Sequence, residues 1–123
     1  MSDAGAACVF CRIAAHQAPA TIRYEDDDLV AFDAEPAATP LHVLVIPRAH
    51  IRSVADLADT ELAGRLVLAA SKIAADAGVK SFRLATNSGA PLQDVFHLHW
   101  HVMGGGEMGH PAGIAFSRWK RET

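Results

Sequence analysis

The segment Phe96-His97-Leu98-His99-Trp100-His101-Val102-Met103 is the most informative part of the chain. Its three histidines alternate with apolar residues. A period of two is typical of a β-strand, where it places the imidazoles on one face and the apolar side chains on the other. We expect the apolar face to pack on the core, and the histidine face then requires a chemical explanation.

Geometry leaves several explanations of the histidine face open. A strand rises about 3.3 Å per residue, so His97 and His101 lie roughly 13 Å apart at the backbone. They cannot easily share one zinc ion, because bonds from zinc to nitrogen are about 2 Å long. A neutral imidazole is a good nucleophile near physiological pH, which favours group transfer. The alternatives are a metal-binding strand and a surface strand with a chance run of histidines, and spacing does not show which histidine attacks.

The composition of the chain is that of an ordinary globular protein. Of its 123 residues, 50% are hydrophobic and 20% are charged, and the net charge of −3 favours neither nucleic acid nor an anionic membrane as a partner. The N-terminus lacks the regions of a signal peptide, and no apolar run reaches the roughly 20 residues of a membrane span. We expect a single cytoplasmic domain over residues 1–123, with a flexible N-terminus at 1–7.

A Cys-x-x-Cys pair, Cys8 and Cys11, lies near the start of the chain. In a cytoplasmic protein such a pair favours metal binding or redox chemistry over a structural disulfide. Two cysteines supply half of a tetrahedral zinc site, and His50 and His97 are candidates for the other half. A redox pair and two idle thiols remain alternatives. If zinc binds, His97 is a structural ligand that stiffens the strand carrying His99.

The other elements follow from hydrophobic patterning and from helix-capping signals. We predict a short helix over 11–16 and a long helix that begins with Thr60 as its N-cap and ends near Gly78. Strands are predicted over residues 22–25, 29–32, 41–48 and 82–87, with a polar turn at 26–28. The continuously apolar strand 41–48 should be central, and its His42 is interpreted as a satisfied, partly buried histidine. This order predicts an α+β fold with a mainly antiparallel sheet of about five strands.

The histidine segment and the Gly104-Gly105 pair after it resemble the signature of the histidine triad (HIT) nucleotide hydrolases and transferases. The glycine pair is similar to the one found in the Hint branch of that family, the adenosine phosphoramidases. The resemblance extends from Cys8 to about Pro111, so residues 114–123 form a C-terminal extension. It implies a HIT-like fold with one long and one short helix, and a homodimer in which the long helices pack together. Core packing within one chain is the alternative role of that helix.

The resemblance also implies a mechanism that uses the triad of His97, His99 and His101. His99 would attack the α-phosphorus of a purine nucleotide, and water would hydrolyse the nucleotidyl intermediate without a catalytic cofactor. His101 would hydrogen-bond a phosphate oxygen, and His97 would join Cys8, Cys11 and His50 around a structural zinc. Phe32 would line the purine pocket, and Asn87 would lie near the ribose and phosphate.

Three features depart from the Hint pattern. In the Hint pattern an aspartate holds the ribose, and this chain has Ala34 at that position. We favour Asp33 as the substitute, although adjacent residues of a strand point to opposite faces. Leu92-Gln93-Asp94 replaces Gly-Gln-Ser or Gly-Gln-Glu, and the segment from Asn87 to His97 is one residue shorter. We place Gln93 and Asp94 in the substrate site, where the carboxylate of Asp94 would favour a cationic amine leaving group and repel extra phosphates.

The sequence therefore predicts a homodimeric phosphoramidase that cleaves the P–N bond of adenosine or other purine nucleoside 5′-phosphoramidates through His99. A dinucleoside polyphosphate hydrolase is one alternative, which Asp94 and Gly104-Gly105 disfavour. A nucleotide-binding interaction module with little turnover is another. A metallohydrolase that uses two triad histidines would lose its activity to a chelator.

Overall fold

The structure, a computed structural model, describes residues 7–105. The predicted C-terminal extension at 114–123 and nearly all of the predicted flexible N-terminus at 1–7 lie outside these residues. Across the described part of the chain, no helix combines the length and the hydropathy that crossing a membrane requires.

Within residues 7–105 the chain forms two α-helices, α1 (Val9–Ala14) and α2 (Thr60–Asp76), and a 3₁₀ turn lies between them at Val54–Asp56. The predicted range 11–16 for α1 is wrong by two residues. The Cys8 thiol accepts a hydrogen bond from the backbone N–H of Cys11 and so starts the helix earlier, while His16 adopts a left-handed φ of 61° beyond its end.

α2 has a different N-cap from the one that we predicted. Asp59 is the N-cap rather than Thr60, and its carboxylate accepts a hydrogen bond from the Leu62 N–H at 3.1 Å. At the other end, Gly78 takes a φ of +75°, and the N–H groups of Gly78 and Val79 donate to the carbonyls of Ala75 and Ala74. This pairing satisfies two carbonyls that the helix end would otherwise expose, and it ends α2 where glycine was expected to end it.

Five strands form one sheet: β1 (Ile22–Glu25), β2 (Leu29–Asp33), β3 (Leu41–Pro47), β4 (Phe82–Ala85) and β5 (Trp100–Gly104). Their order is β1-β2-β3-β5-β4, and every neighbouring pair is antiparallel. β3 is central and every residue in it is buried, as its continuous apolar run predicts. The predicted α+β fold with an antiparallel sheet of five strands is confirmed.

The acidic run between β1 and β2 forms a turn, as predicted. The Asp26 carboxylate accepts hydrogen bonds at 2.8 Å from the backbone N–H groups of both Asp28 and Leu29, which closes the turn. Arg65 on α2 contacts the carboxylates of Asp26 at 3.2 Å and Asp28 at 2.8 Å. The turn thereby fixes the long helix against the β1–β2 hairpin.

The two faces of the sheet carry separate hydrophobic cores. The core under α2 includes Leu29, Val43, Leu66, Ala70, Ile73, Leu98 and Val102. The core under α1 includes Phe10, Ile13, Val30, Phe32, Leu44 and Ile46. The apolar stripe of α2 therefore packs within its own chain through Leu66, Ala70 and Ile73.

The histidine segment is only partly a strand of the sheet. β5 begins at Trp100, so His97 and His99 lie in the extended stretch before it, and the Leu98 N–H donates to the carbonyl of Ile51 at 2.6 Å. The predicted alternation of faces is kept across this boundary. Leu98 and Val102 lie in the core under α2, whereas His97 and His99 contact Phe10 of α1.

Candidate active site

His99 is a buried histidine whose ring is held in one orientation. Its Nδ1 lies 2.8 Å from the carbonyl oxygen of His97. Because a neutral imidazole carries a single N–H, Nδ1 donates to this carbonyl and Nε2 keeps a free lone pair. Burial lowers the pKa of His99, although the same carbonyl and the charge of Asp94 act in the opposite direction. His99 is therefore a neutral imidazole at physiological pH, with Nε2 as its nucleophilic atom.

Two phenylalanines support the His99 ring from the α1 side. The Phe10 ring meets His99 edge-on at 5.1 Å between centroids with an interplanar angle of 86°. Phe32, on β2, packs against Phe10 in the same manner at 5.3 Å. Phe32, which we predicted to line a purine pocket, thus lies on the face of the sheet that carries the histidines.

A fourth histidine, His42, extends the row of imidazoles onto β3. The Ala38 N–H donates to Nδ1 of His42, and Nε2 of His42 lies 2.9 Å from Nδ1 of His101. Since Nδ1 of His42 accepts, its proton resides on Nε2 and is donated to His101, which in turn holds its own proton on Nε2. The order of these hydrogen bonds fixes the tautomer of both rings.

Both of these histidines are neutral. Burial lowers the pKa of His42. Burial, together with the adjacent His99 and His42 rings, lowers the pKa of His101 to about 3. The sequence analysis correctly described His42 as a buried, satisfied histidine but missed its contact with the triad. The available signal was its spacing in the strand. His42, Leu44 and Ile46 are two residues apart and so lie on one face of β3, the face that packs toward α1.

Asp94 is the predicted substrate residue that lies nearest to the nucleophile. Its Oδ1 is 3.7 Å from Nε2 of His99, and its side chain is 86% exposed. The carboxylate therefore lies where a substrate approaching Nε2 from solvent would meet it.

Gln93, in contrast, is turned into the protein. Its side-chain nitrogen donates to the carbonyls of Arg52 at 2.5 Å and Val95 at 2.9 Å, and its oxygen accepts from the Gly89 N–H at 2.9 Å. Both amide hydrogens are engaged, so Gln93 shapes the loop that presents Asp94.

Asp33 and Ala34 lie at the end of β2. The Asp33 carboxylate binds Arg23 through two hydrogen bonds of 2.6 and 3.2 Å, and strand alternation places it on the face of Leu29 and Ala31. Ala34 is buried on the other face. Both residues line a cavity of about 190 Å³ that also reaches His42.

Asn87 follows β4 and is half-buried. Its neighbour Thr86 donates its hydroxyl to the carbonyl oxygen of His99 at 2.7 Å. Asn87 is therefore adjacent in sequence to a residue that contacts the histidine segment.

The four predicted zinc ligands, Cys8, Cys11, His50 and His97, come together at the N-terminal end of α1. One donor atom from each lies within 4.8 Å of the others. The Cys8 and Cys11 sulfurs are 3.4 and 3.5 Å from Nδ1 of His97, and Cys11 is 3.3 Å from Nδ1 of His50. Zinc bonds of about 2.3 Å to sulfur and about 2.0 Å to nitrogen imply roughly 3.5 Å between tetrahedral ligands.

The second nitrogen of His97 strengthens this fit. His97 is fully buried, and its Nε2–H donates to the carbonyl oxygen of Pro47 at 2.8 Å. That bond leaves the lone pair on Nδ1 directed at the two sulfurs, an arrangement typical of metal-bound histidines. The residues present therefore fit a structural zinc site of two cysteines and two histidines.

Comparison with known proteins gives close relatives over nearly the whole chain. An uncharacterised HIT-like protein of Synechocystis is 44% identical over 110 residues, which are 85% of this chain and 96% of that protein. Protein HitA of Neisseria gonorrhoeae is 44% identical over 102 residues, 79% of this chain and 94% of that protein.

Solved structures match equally well. A HIT family hydrolase from Clostridium thermocellum has a TM-score of 0.81 and 41% identity, covering 88% of this chain and 98% of its own. A zinc-bound histidine triad family protein from Mycobacterium smegmatis has a TM-score of 0.74 and 30% identity, covering 84% and 78%. These matches confirm the predicted HIT-like fold. The model of the HIT domain family matches residues 15–108, a span that includes the sheet, α2 and all three triad histidines, and the protein belongs to that family.

Proposed function

We propose that this protein is a Hint-like phosphoramidase that hydrolyses the P–N bond of purine nucleoside 5′-phosphoramidates, with AMP-amines as its typical substrates. The observation that carries the proposal is the state of His99, a neutral imidazole whose Nδ1–H is tied to the His97 carbonyl and whose Nε2 faces the exposed Asp94. Similarity to HIT family hydrolases of known structure supports the reaction class.

The reaction proceeds in two displacements at phosphorus. In the first, the Nε2 lone pair of His99 forms a bond to the α-phosphorus while the P–N bond to the amine breaks, and the amine leaves with a proton taken from water. In the second, water attacks phosphorus and gives a proton to the hydroxide left by the first step, the bond to Nε2 breaks and AMP is released. Each step inverts phosphorus, so the configuration is retained overall.

The other histidines act around this centre. The Nε2–H of His101, fixed by the hydrogen bond from His42, donates to a non-bridging phosphate oxygen as charge develops there. His97 holds the His99 ring through its carbonyl and, with Cys8, Cys11 and His50, would hold a structural zinc. No step of the reaction uses the metal. Phe32, Asp33 and Asn87 are proposed to line the nucleoside site.

The proposal extends to assembly and location. We propose a homodimer that packs α2 against its twin, because Val67 and Leu68 on this helix are 41% and 71% exposed. A cytoplasmic location is supported by the two free cysteines, whose thiols need a reducing compartment to remain available to zinc.

The deciding experiment mixes the protein with an adenosine phosphoramidate of a fluorescent amine. We expect release of the amine by the wild type, a loss of at least about a thousandfold in His99→Ala, and normal turnover in the control His16→Ala, which removes an exposed histidine. Brief EDTA treatment should leave turnover intact as long as the fold survives. Intact-mass detection of a nucleotidylated wild type, absent in His99→Ala, would identify the intermediate.

A nucleotide-binding module with little turnover is the second candidate. The alanine at position 34 and the inward-facing amide of Gln93 favour it, because the first lacks the ribose-binding carboxylate of the Hint pattern and the second is turned away from the substrate that we predicted it to contact. In that case AMP would bind, but a single-turnover mixture would yield neither free amine nor modified protein. Chelator-sensitive turnover with normal folding would instead support a metallohydrolase.

A further inference from the structure

We infer that Asp94 makes this enzyme selective for phosphoramidates whose leaving amine carries a second, positively charged ammonium group, as in a diamine. The inference rests on the proposed function and concerns which amine is released. It follows from the position of the Asp94 carboxylate, 3.7 Å from the atom that attacks phosphorus.

The charge of Asp94 is available to a ligand. Its side chain is 86% exposed, and within residues 7–105 it forms no ion pair with lysine or arginine. A substrate at Nε2 therefore meets the Asp94 carboxylate at the rim of the site.

The loop that carries Asp94 is held in place. Gln93 donates to the carbonyls of Arg52 and Val95 and accepts from Gly89, which connects the loop to itself and to the segment before α2. The carboxylate is thus presented from a fixed backbone, while its exposed side chain can turn toward a ligand. This combination suits recognition of a flexible cationic group better than shape recognition of a rigid one.

The chemistry of the first displacement determines what the carboxylate meets. As the bond from His99 Nε2 to phosphorus forms and the P–N bond breaks, the departing amine lies outside phosphorus, on the solvent side of the site. An ammonium group two or three methylenes from that nitrogen can reach the carboxylate. Across a solvent-exposed distance of about 5 Å, the attraction corresponds to a preference of about 3- to 10-fold. Additional phosphates in the same place would be repelled by a similar factor.

A second effect of Asp94 has to be separated from this one. Formation of the nucleotidyl intermediate gives His99 a positive charge, which a carboxylate 3.7 Å away also stabilises. That effect changes the rate for every substrate alike. The ratio of kcat/KM between a cationic and a neutral leaving amine cancels it and reports leaving-group selectivity alone.

The test compares the AMP phosphoramidates of 1,3-diaminopropane and of butylamine, which are similar in size and differ in charge. We expect the wild type to prefer the diamine by about 3- to 10-fold in kcat/KM at low salt, with the preference falling as ionic strength rises. Asp94→Asn should bring the ratio close to one. Asp94→Glu should keep a preference, and Asp27→Asn, which removes an exposed charge from the β1–β2 turn, should leave the ratio unchanged.

The outcomes distinguish failure of this inference from failure of the proposed phosphoramidase function. Equal kcat/KM for the two amines in the wild type, or a preference that survives in Asp94→Asn, would overturn the role of Asp94 while leaving the phosphoramidase intact. Release of neither amine would instead remove the proposed function itself.

Discussion

At the scale of single residues, the site depends on where protons reside. The chain of hydrogen bonds from Ala38 through His42 to His101 assigns one tautomer to each ring. The carbonyl of His97 does the same for His99. The proposed nucleophile, His99, and the proposed phosphate donor, His101, are therefore prepared before any substrate arrives, and no proton must move within the row for the proposed first displacement to begin.

Replacing His42 tests this arrangement. In His42→Ala, His101 loses the donor that keeps its proton on Nε2, and we expect kcat to fall by about 100-fold, the lower end of general acid–base contributions. The tautomers of His101 should become mixed, which nitrogen-15 NMR of the imidazole would detect. His16→Ala should change neither quantity. An unchanged His101 tautomer in His42→Ala would contradict the assignment.

At the scale of elements, the β1–β2 turn connects the hairpin to α2 through Asp26. Burial alone would raise the pKa of Asp26, but hydrogen bonds from the Tyr24 hydroxyl and from two backbone N–H groups, with the charge of Arg65, outweigh it and lower the pKa to about 2. A carboxyl group with a lowered pKa stabilises the fold when it is ionised. This contribution is complete above the unfolded-state pKa of about 4 and is lost as the pH falls toward 2.

Asp26→Asn isolates the charge, because an amide can still accept the turn hydrogen bonds. We expect a loss of roughly 1–2 kcal/mol in the free energy of unfolding at pH 7, shrinking as the pH falls from about 4 to about 2.5. Asp28→Asn is the matched control. Its half-exposed side chain has Arg65 as its ion-pair partner, and we expect a loss below about 0.5 kcal/mol. Urea unfolding at several pH values measures both, and equal losses would be the contrary result.

Local patterns were sufficient to predict most elements. The continuous apolar run of β3 and the helical stripe of α2 depend on periodicity within one segment, which the sequence displays directly. The ends of the helices depend on individual caps, and there the cysteine at 8 and the aspartate at 59 were missed. Contact between His42 and His101 depends on the register of β3 against β5, which no single segment encodes.

The candidate site shows the same difference between features set by local sequence and features set by tertiary contacts. The cluster of four candidate zinc ligands could be predicted because Cys8 and Cys11 are close in sequence and because the family resemblance adds His50 and His97 to them. The inward turn of Gln93 and the pairing of Asp33 with Arg23 were not found, because each requires the path of a loop or the position of a neighbouring strand. Residue type therefore selected the candidate groups, and tertiary structure determined what each of them contacts.

At the scale of the whole molecule, five large apolar side chains are exposed within residues 7–105: Val9 on α1, Leu92 on the loop that carries Asp94, and three others. Val67 and Leu68 lie on α2, and Phe82, 38% exposed, begins the edge strand β4. Exposed apolar side chains on a helix and the free backbone groups of an edge strand are each suited to contact with a second copy of the chain.

Leu68→Glu tests the proposed dimer. A buried charge at the interface should shift the wild-type dimer to a monomer at micromolar concentration, because an unpaired carboxylate is costly to desolvate. Sedimentation velocity measures the mass, and Leu92→Glu, at an exposed apolar residue of the Asp94 loop, should remain dimeric. A wild type that sediments as a monomer at high concentration would rule the dimer out.

The hydrogen bond from Ala38 to His42 has a consequence for sequence drift. The contact that begins the row of imidazoles comes from the backbone N–H at position 38, and the alanine side chain takes no part in it. Eighteen of the nineteen possible substitutions at this position therefore keep the donor. Proline alone lacks that N–H, so selection that preserves the row of histidines would exclude only proline at position 38.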